Sequence, residues 1–120
     1  MNCWSWPALL ALAIALSSPA SAHTRLERTT PAAGSAVAEA PSQLSLKFSQ
    51  GIEPAFSQVQ VLDPGGKPLA TEAVKNDPPD ARLLQVSLPR LAPGTYRVRW
   101  RVLSVDTHVT EGSFSFEVRP

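Results

Sequence analysis

Sulfur is almost absent from this sequence. The one cysteine is Cys3 and the one methionine is Met1, both at the start of the 120-residue chain. A single cysteine excludes a disulfide within the chain, and the rest of the sequence offers no thiolate or thioether to a soft metal ion. A metal bound by the main part of this protein must therefore use nitrogen and oxygen ligands.

An excess of charge of either sign is also lacking. Eleven Lys and Arg residues stand against ten Asp and Glu residues, for a formal net charge of +1. Such a balance provides no general attraction to nucleic acid or to an anionic membrane surface. We therefore expect no nucleic-acid partner.

The apolar run near the start is too short to cross a bilayer. Leu9 to Leu16 falls well below the roughly 20 residues that a membrane-spanning helix needs. Pro19 and the small-x-small tripeptide Ala20-Ser21-Ala22 follow it, as at a signal-peptidase site. We predict a cleaved signal peptide over residues 1–22 and one domain over residues 23–120. An uncleaved membrane anchor is the alternative, and the helix-breaking proline favours processing.

The remaining sequence alternates between apolar and polar residues, which is typical of half-buried strands. The apolar rows are Leu44-Leu46-Phe48, Val59-Val61, Leu84-Val86-Leu88, Tyr96-Val98-Trp100-Val102 and Phe114-Phe116-Val118. A first strand near His23 to Arg28 and a short edge strand between Lys67 and Arg82 bring the number to about seven. With no helical period, this pattern predicts an all-β fold, a single antiparallel Greek-key β-sandwich. Tyr96, just after Pro93-Gly94, suggests a tyrosine corner.

Only two histidines are present, His23 and His108. Residues i and i+2 of an extended chain share a face, so Asp106 and His108 lie side by side. Cleavage after Ala22 would make His23 the first residue, able to chelate through its α-amine and ring. We predict a metal site of His23, Asp106 and His108, whose donors favour one Cu(II) ion per domain. The alternatives are a solvated Asp106 and His108 and a frayed first residue.

Two further patterns have competing interpretations. Arg97, Arg99 and Arg101 form either a phosphate- or partner-binding stripe or a solvated strand face with cross-strand carboxylates such as Glu117. Ser113 and Ser115 alternate with aromatic residues but have no spare histidine to activate them, which argues against a serine hydrolase.

Several segments together resemble the CopC/PcoC family of copper-resistance proteins. They are His23, Thr30–Gly34, Phe48-Ser49 with Glu53–Ser57, Pro93-Gly94-x-Tyr96-x-Val98-x-Trp100, and Val105-Asp106-x-His108-x-x-x-Gly112-x-Phe114-x-Phe116. The last is the most specific. The resemblance implies a cupredoxin-like, immunoglobulin-like sandwich in the periplasm that sequesters or carries copper for homeostasis or resistance. It also implies a CopD-like inner-membrane partner. We expect a monomer that is not an enzyme.

By position, His23, Asp106 and His108 match the Cu(II) ligands of the family that this chain resembles. Thr107 replaces the usual glycine between the last two, and Gln50 stands where some members carry glutamate. Gln50 can still hydrogen-bond to a ligand or a water. Some members have a methionine-rich Cu(I) loop, which this sequence lacks, so the likeness is to the Cu(II)-only type.

Two other function classes remain open at the level of sequence. An N-terminal histidine also resembles the histidine brace of copper monooxygenases, which need an open coordination position and a substrate surface. Asp106 would fill that position here. The second alternative is a metal-free interaction module that uses a sandwich face or the arginine row.

Overall fold

Two four-stranded sheets face each other in this protein. The structure is a computed structural model that describes residues 24–71, 73–77 and 80–120. The strands are β1 (Leu26–Thr30), β2 (Ala36–Val37), β3 (Gln43–Phe48), β4 (Gln58–Leu62), β5 (Lys75–Asp77), β6 (Asp80–Ser87), β7 (Gly94–Leu103) and β8 (Val109–Val118), with a 3-10 turn over Pro54–Phe56. The predicted signal peptide and His23 lie outside the described residues. No helix among the residues described is both long and apolar enough to cross a membrane.

The strand order is β1-β3-β6-β5 in one sheet and β2-β8-β7-β4 in the other. Every pairing is antiparallel except that of β2 with β8, where Ala36 and Val37 run parallel to Glu117 and Val118. The all-β sandwich that the sequence predicts is confirmed. The described residues add β2, which the alternation did not predict because two residues are too few to show a period.

The core lies between the sheets and is formed by alternate residues of the long strands. Those at most 1% exposed are Leu44, Leu46, Phe48, Val61, Leu84, Val86, Val98, Val102 and Phe116. Burial of each such side chain contributes about 1.5–3 kcal/mol, so these rows supply much of the driving force for folding. Trp100, predicted as a core residue, packs edge-on against Phe48 at 5.3 Å between ring centroids but keeps part of its surface exposed.

One end of the β7–β8 hairpin is a closed apolar corner. The Tyr96 hydroxyl donates a hydrogen bond to the Ala92 carbonyl at 2.6 Å, and its ring stacks on Phe116 at 5.6 Å. Gly94 has a φ of 149°, and a Cβ there would lie 2.5 Å from Pro64 Cγ. The tyrosine corner that the sequence suggests is present, because the turn before Tyr96 brings its hydroxyl back to the chain.

The segment after β3 links the start of the described chain to the other end of this hairpin. Ser49 exchanges two hydrogen bonds with Arg25, one from its backbone N–H at 2.9 Å and one to its hydroxyl oxygen at 2.8 Å. Two residues later, the Gly51 carbonyl accepts from the Val105 N–H at 2.9 Å. Ile52 then forms a bridge with Ser104. We call Ser49–Ile52 the linking segment.

Candidate metal site

The loop between β7 and β8 carries two of the three predicted ligands. It is closed by backbone hydrogen bonds, from Ser104 N–H to the His108 carbonyl and from Thr107 N–H to the Ser104 carbonyl, both at 2.9 Å. Thr107 has a φ of 70°, in the left-handed region that a β-branched residue rarely adopts. That conformation turns the chain sharply, so Asp106 and His108 come together on one side.

Asp106 accepts hydrogen bonds on both carboxylate oxygens. Oδ1 accepts from the Ser104 hydroxyl and from the His108 N–H at 3.3 Å, while Oδ2 lies 3.2 Å from His108 Nδ1. The Ser104 hydroxyl, followed by the backbone and ring of His108, holds the pKa of Asp106 below its ordinary value, although partial burial opposes the shift. The carboxylate is therefore ionised at neutral pH, which is the form that binds a cation.

The contact between Asp106 and the imidazole bears on which ring nitrogen of His108 would bind a metal ion. The ring approaches the carboxylate through Nδ1. An ion bound with this contact kept would use Nε2, and Asp106 would orient the ring from the side, as carboxylates commonly do for ligating histidines. An ion bound by both side chains would instead replace this contact. Either arrangement needs Asp106 and His108 adjacent, as their spacing in the sequence predicts.

The third predicted ligand, His23, is not among the residues that the structure describes. Within residues 24–71, 73–77 and 80–120, no group of three or more His, Cys, Asp or Glu side chains is placed to hold an ion. Asp106 and His108 are thus the described part of the predicted site. Gln50, the predicted outer contact, lies half-buried inside the linking segment, between the residues that bond to Arg25 and to Val105.

Sequence reasoning missed Ser104. This residue is 1% exposed, and its hydroxyl lies within hydrogen-bonding distance of both Asp106 Oδ1 and the His108 carbonyl, the latter at 3.1 Å. It therefore joins the two halves of the loop and fixes the carboxylate. The sequence did contain a signal for this role. Ser104 is the next inward-facing position after Val98, Trp100 and Val102, and a polar residue at a buried position needs a hydrogen-bond partner.

This end of the sandwich also contains buried polar atoms that lack partners. Thr24 Oγ1, Trp100 Nε1 and Thr110 Oγ1 are buried without a hydrogen bond in the described part of the chain. Trp100 pairs with Gly112 in the β7–β8 register, and Thr110 is the next inward residue of β8. Unsatisfied buried groups are uncommon and costly in native proteins. The polar character of this end contrasts with the apolar corner at Tyr96.

Comparison with known proteins identifies the family. A family model described as the CopC domain matches residues 26–119. The chain belongs to the CopC family. It is 34% identical over 125 residues to copper resistance protein C of Pseudomonas syringae pv. tomato, a match that covers 99% of this chain and 98% of the relative. It is 39% identical over 114 residues to protein YobA of Escherichia coli strain K12, covering 93% and 92% of the two chains.

Solved structures of the CopC family share the fold. The crystal structure of CopC from Methylosinus trichosporium OB3b has a TM-score of 0.77 and 40% identity, with 82% of this chain and 95% of that chain covered. PcoC of Escherichia coli, described as a methionine-rich copper resistance protein, has a TM-score of 0.71 and 33% identity, covering 82% and 100%. The family resemblance that the sequence suggests is therefore confirmed, whereas the ligands His23, Asp106 and His108 remain predictions.

Proposed function

We propose that this CopC-family protein binds one Cu(II) ion in the periplasm and sequesters or carries it for copper homeostasis or resistance. The observation that carries the proposal is the β7–β8 loop, where an ionised Asp106 lies 3.2 Å from His108 Nδ1. Relatives named copper resistance protein C agree with copper as the cargo. The first residue of the proposed mature protein, His23, would complete the site.

The linking segment supports the participation of His23. Thr24 is 4% exposed and is followed by Arg25, whose backbone bonds to Ser49. Gly51, in the same segment, bonds to Val105, the residue before Asp106. These bonds connect the start of the described chain to the loop that carries Asp106 and His108, which supports His23 as the third ligand.

The chemistry of this donor set favours oxidised copper. A free α-amine and a ring nitrogen from His23, a ring nitrogen from His108 and an oxygen from Asp106 suit tetragonal Cu(II). Removal of residues 1–22 by a signal peptidase would create the amine and export the domain, residues 23–120, to the periplasm. Protons compete for the amine and for both imidazoles, so affinity should fall on acidification. We infer a binding role without turnover, in a monomer that serves a CopD-like inner-membrane protein.

The proposal is tested by titrating Cu(II) into two purified forms, one beginning at His23 and one with an alanine added before it. Trp100 is the only tryptophan after residue 22, so quenching of its fluorescence reports binding. We expect one equivalent to bind the first form. The extended form should bind more than about 100-fold more weakly, since losing a ligand exceeds the 10–100-fold typical of an outer contact.

Single substitutions test whether Asp106 and His108 bind the ion, as opposed to a general effect of changing a surface charge. We expect His108→Ala and Asp106→Asn each to weaken Cu(II) binding, and Glu39→Gln, at an exposed position in the loop after β2, to leave it unchanged. Electron paramagnetic resonance at one equivalent should show nitrogen coupling that changes in His108→Ala. Equal affinity of the mature and extended forms, or a secreted protein whose mass shows a different first residue, would contradict the proposal.

A further inference from the structure

The outward face of the β4-β7-β8 sheet carries a row of arginines. Arg97, Arg99 and Arg101 alternate along β7 and are exposed. Successive members are about 6.7 Å apart, twice the rise of a strand residue. On β4, Gln60 lies opposite Arg99, Gln58 lies opposite Arg101 and Leu62 lies opposite Arg97. The face is therefore basic at its centre and polar along the β4 edge.

Among the residues that the structure describes, no carboxylate forms an ion pair with this row. Glu117, the candidate counter-ion in the sequence, pairs instead with Arg119 at 2.7 Å, and Arg97 only contacts the Ser113 hydroxyl oxygen at 3.4 Å. Glu111 is the register partner of Arg101, yet the two form no ion pair in the described structure. Three arginines and one glutamate, Glu111, occupy neighbouring exposed positions, so the described part of this face has a local excess of positive charge.

Two adjoining depressions extend this basic row to the β7–β8 loop, residues 104–108, which we call the metal loop. The first has a volume of about 350 Å³ and includes Gln60, Arg99 and Arg101 in its lining. The second, of about 310 Å³, also includes Arg101 and continues to Phe56 and Val109. Since they share Arg101, the two form one continuous surface. This surface leads from the arginines to Val109, the residue that directly follows His108.

The end nearest the metal loop is apolar. Phe56 is 74% exposed and Val109 is 51% exposed, and both line the second depression. Single exposed apolar residues need no explanation, but adjacent ones beside a groove commonly mark an interaction site. Neither side chain contributes to the buried core, so folding alone does not account for an aromatic residue at position 56.

From these features we infer that this face binds an acidic segment of a partner protein. Its carboxylates would pair with Arg99 and Arg101, since the planar guanidinium binds a carboxylate through two parallel hydrogen bonds. An apolar side chain of the same segment would lie between Phe56 and Val109. We call these four residues the docking face.

The mixed character of the surface favours a protein segment over a polyanion or a lipid headgroup. The apolar end formed by Phe56 and Val109 adds nothing to the binding of a sulfated polymer. A segment with carboxylates at one end and an apolar side chain at the other matches both parts. The docking face borders the Asp106–His108 loop, so a partner bound there would lie beside the proposed copper site.

The test uses metal-free protein, so its result does not depend on whether copper binds. The probe is a synthetic peptide of about twelve residues, rich in Asp and Glu, with one leucine near its end. Titration into ¹⁵N-labelled protein should shift amide resonances of β4, β7 and the Phe56 turn. The double substitution Arg99→Gln with Arg101→Gln should weaken binding roughly tenfold, as expected for two exposed charge pairs.

Matched variants distinguish the docking face from general charge. Arg28→Gln with Arg90→Gln removes two exposed arginines elsewhere and should change the affinity by less than about twofold. Phe56→Ser should weaken binding of the leucine peptide but not of a leucine-to-glycine version. The inference would be overturned if the expected resonance shifts were absent, or if both double arginine variants lost the same peptide affinity. It would also be overturned if heparin or phosphatidylglycerol vesicles bound more tightly than the peptide.

Discussion

The two ends of the β7–β8 hairpin differ in how completely their polar groups are paired. At the end near Gly94, the Tyr96 hydroxyl is bonded to a carbonyl and its ring stacks on Phe116. At the other end, Trp100 Nε1 and Thr110 Oγ1 are buried without partners in the described chain. One pair of strands thus has a satisfied apolar end and an unsatisfied polar end.

This difference separates stability from binding within one hairpin. Fully paired and packed groups add to the free energy of unfolding, whereas buried polar groups without partners subtract from it. The comparison predicts that substitutions at the corner affect folding alone, whereas substitutions in the loop can affect copper binding as well as folding.

The largest effect on folding is expected at Tyr96. Replacing Tyr96 with alanine removes a buried ring and should lower the free energy of unfolding by about 3–5 kcal/mol, while Tyr96→Phe removes only the hydrogen bond and should cost about 1 kcal/mol. Urea denaturation measures both. The Cu(II) affinity of folded Tyr96→Phe should equal that of the wild type. A strong loss of copper binding in this variant would show that the two ends are not independent.

Ser104→Ala should affect both folding and binding. Loss of the buried hydroxyl should lower the free energy of unfolding by about 1–3 kcal/mol, raise the pKa of Asp106, and weaken Cu(II) binding by about 10–100-fold. Denaturation, an NMR titration of Asp106 and a copper competition assay measure these quantities.

Ser57→Ala is the control for Ser104→Ala, because Ser57 is also buried and its hydroxyl joins Glu53 to Leu103. It should destabilise the fold without shifting the pKa of Asp106 or the copper affinity. If the two serine variants bind copper equally well, Ser104 has only a structural role.

Thr107→Gly should stabilise the protein slightly. A threonine at a φ of 70° costs about 1–2 kcal/mol, which exceeds the entropy that glycine loses on folding. The net gain expected in thermal unfolding is about 0.5–1 kcal/mol, reduced by loss of the Thr107 hydroxyl bond to the Asp106 carbonyl. Thr95→Gly, at an exposed strand position, should have the opposite sign. A destabilised Thr107→Gly variant would mean that the hydroxyl bond outweighs the strain.

The smallest effect is expected at Asp80, on the other sheet. The Arg82 N–H, then the charges of Lys47 and Arg82, hold the pKa of Asp80 below its ordinary value. Its stabilisation is therefore present above the ordinary pKa and is lost as the pH falls through the lowered, folded-state pKa. The melting temperature of Asp80→Asn should be slightly below wild type at pH 7 and should converge with it in acid. Copper affinity should not change, since Asp80 lies outside the loop.

The alternating strands were predictable because burial on one face imposes a period of two on the sequence. This period located the rows of β3, β4, β6, β7 and β8. β2 shows no period and was not predicted. β5 lies at a sheet edge within the range Lys67–Arg82 where a short edge strand was predicted, but its three residues, next to Pro78 and Pro79, show no period that could fix its bounds. The parallel pairing of β2 with β8 depends on tertiary structure.

The candidate site was predictable only as far as local geometry reaches. Asp106 and His108 are adjacent, as predicted, but the expected reason was wrong: the segment is a turn and not an extended strand, and the left-handed Thr107 brings the two side chains together. The role of Ser104, the left-handed conformation of Thr107 and the use of His108 Nδ1 toward the carboxylate depend on how the loop closes. The linking segment is likewise a tertiary feature, because Ser49 and Val105 are far apart in the sequence.

The linking segment has a consequence for the exchange of amide hydrogens with solvent. Ser49 bonds to Arg25, just before β1, and Gly51 bonds to Val105 in the β7–β8 loop, so one short segment holds both the start of the described chain and the loop. An ion bound at the loop stabilises the closed form by mass action and should slow deuterium uptake at Ser49 as well as at Val105. Amide exchange at residues that are not metal ligands would then report whether the metal site is occupied.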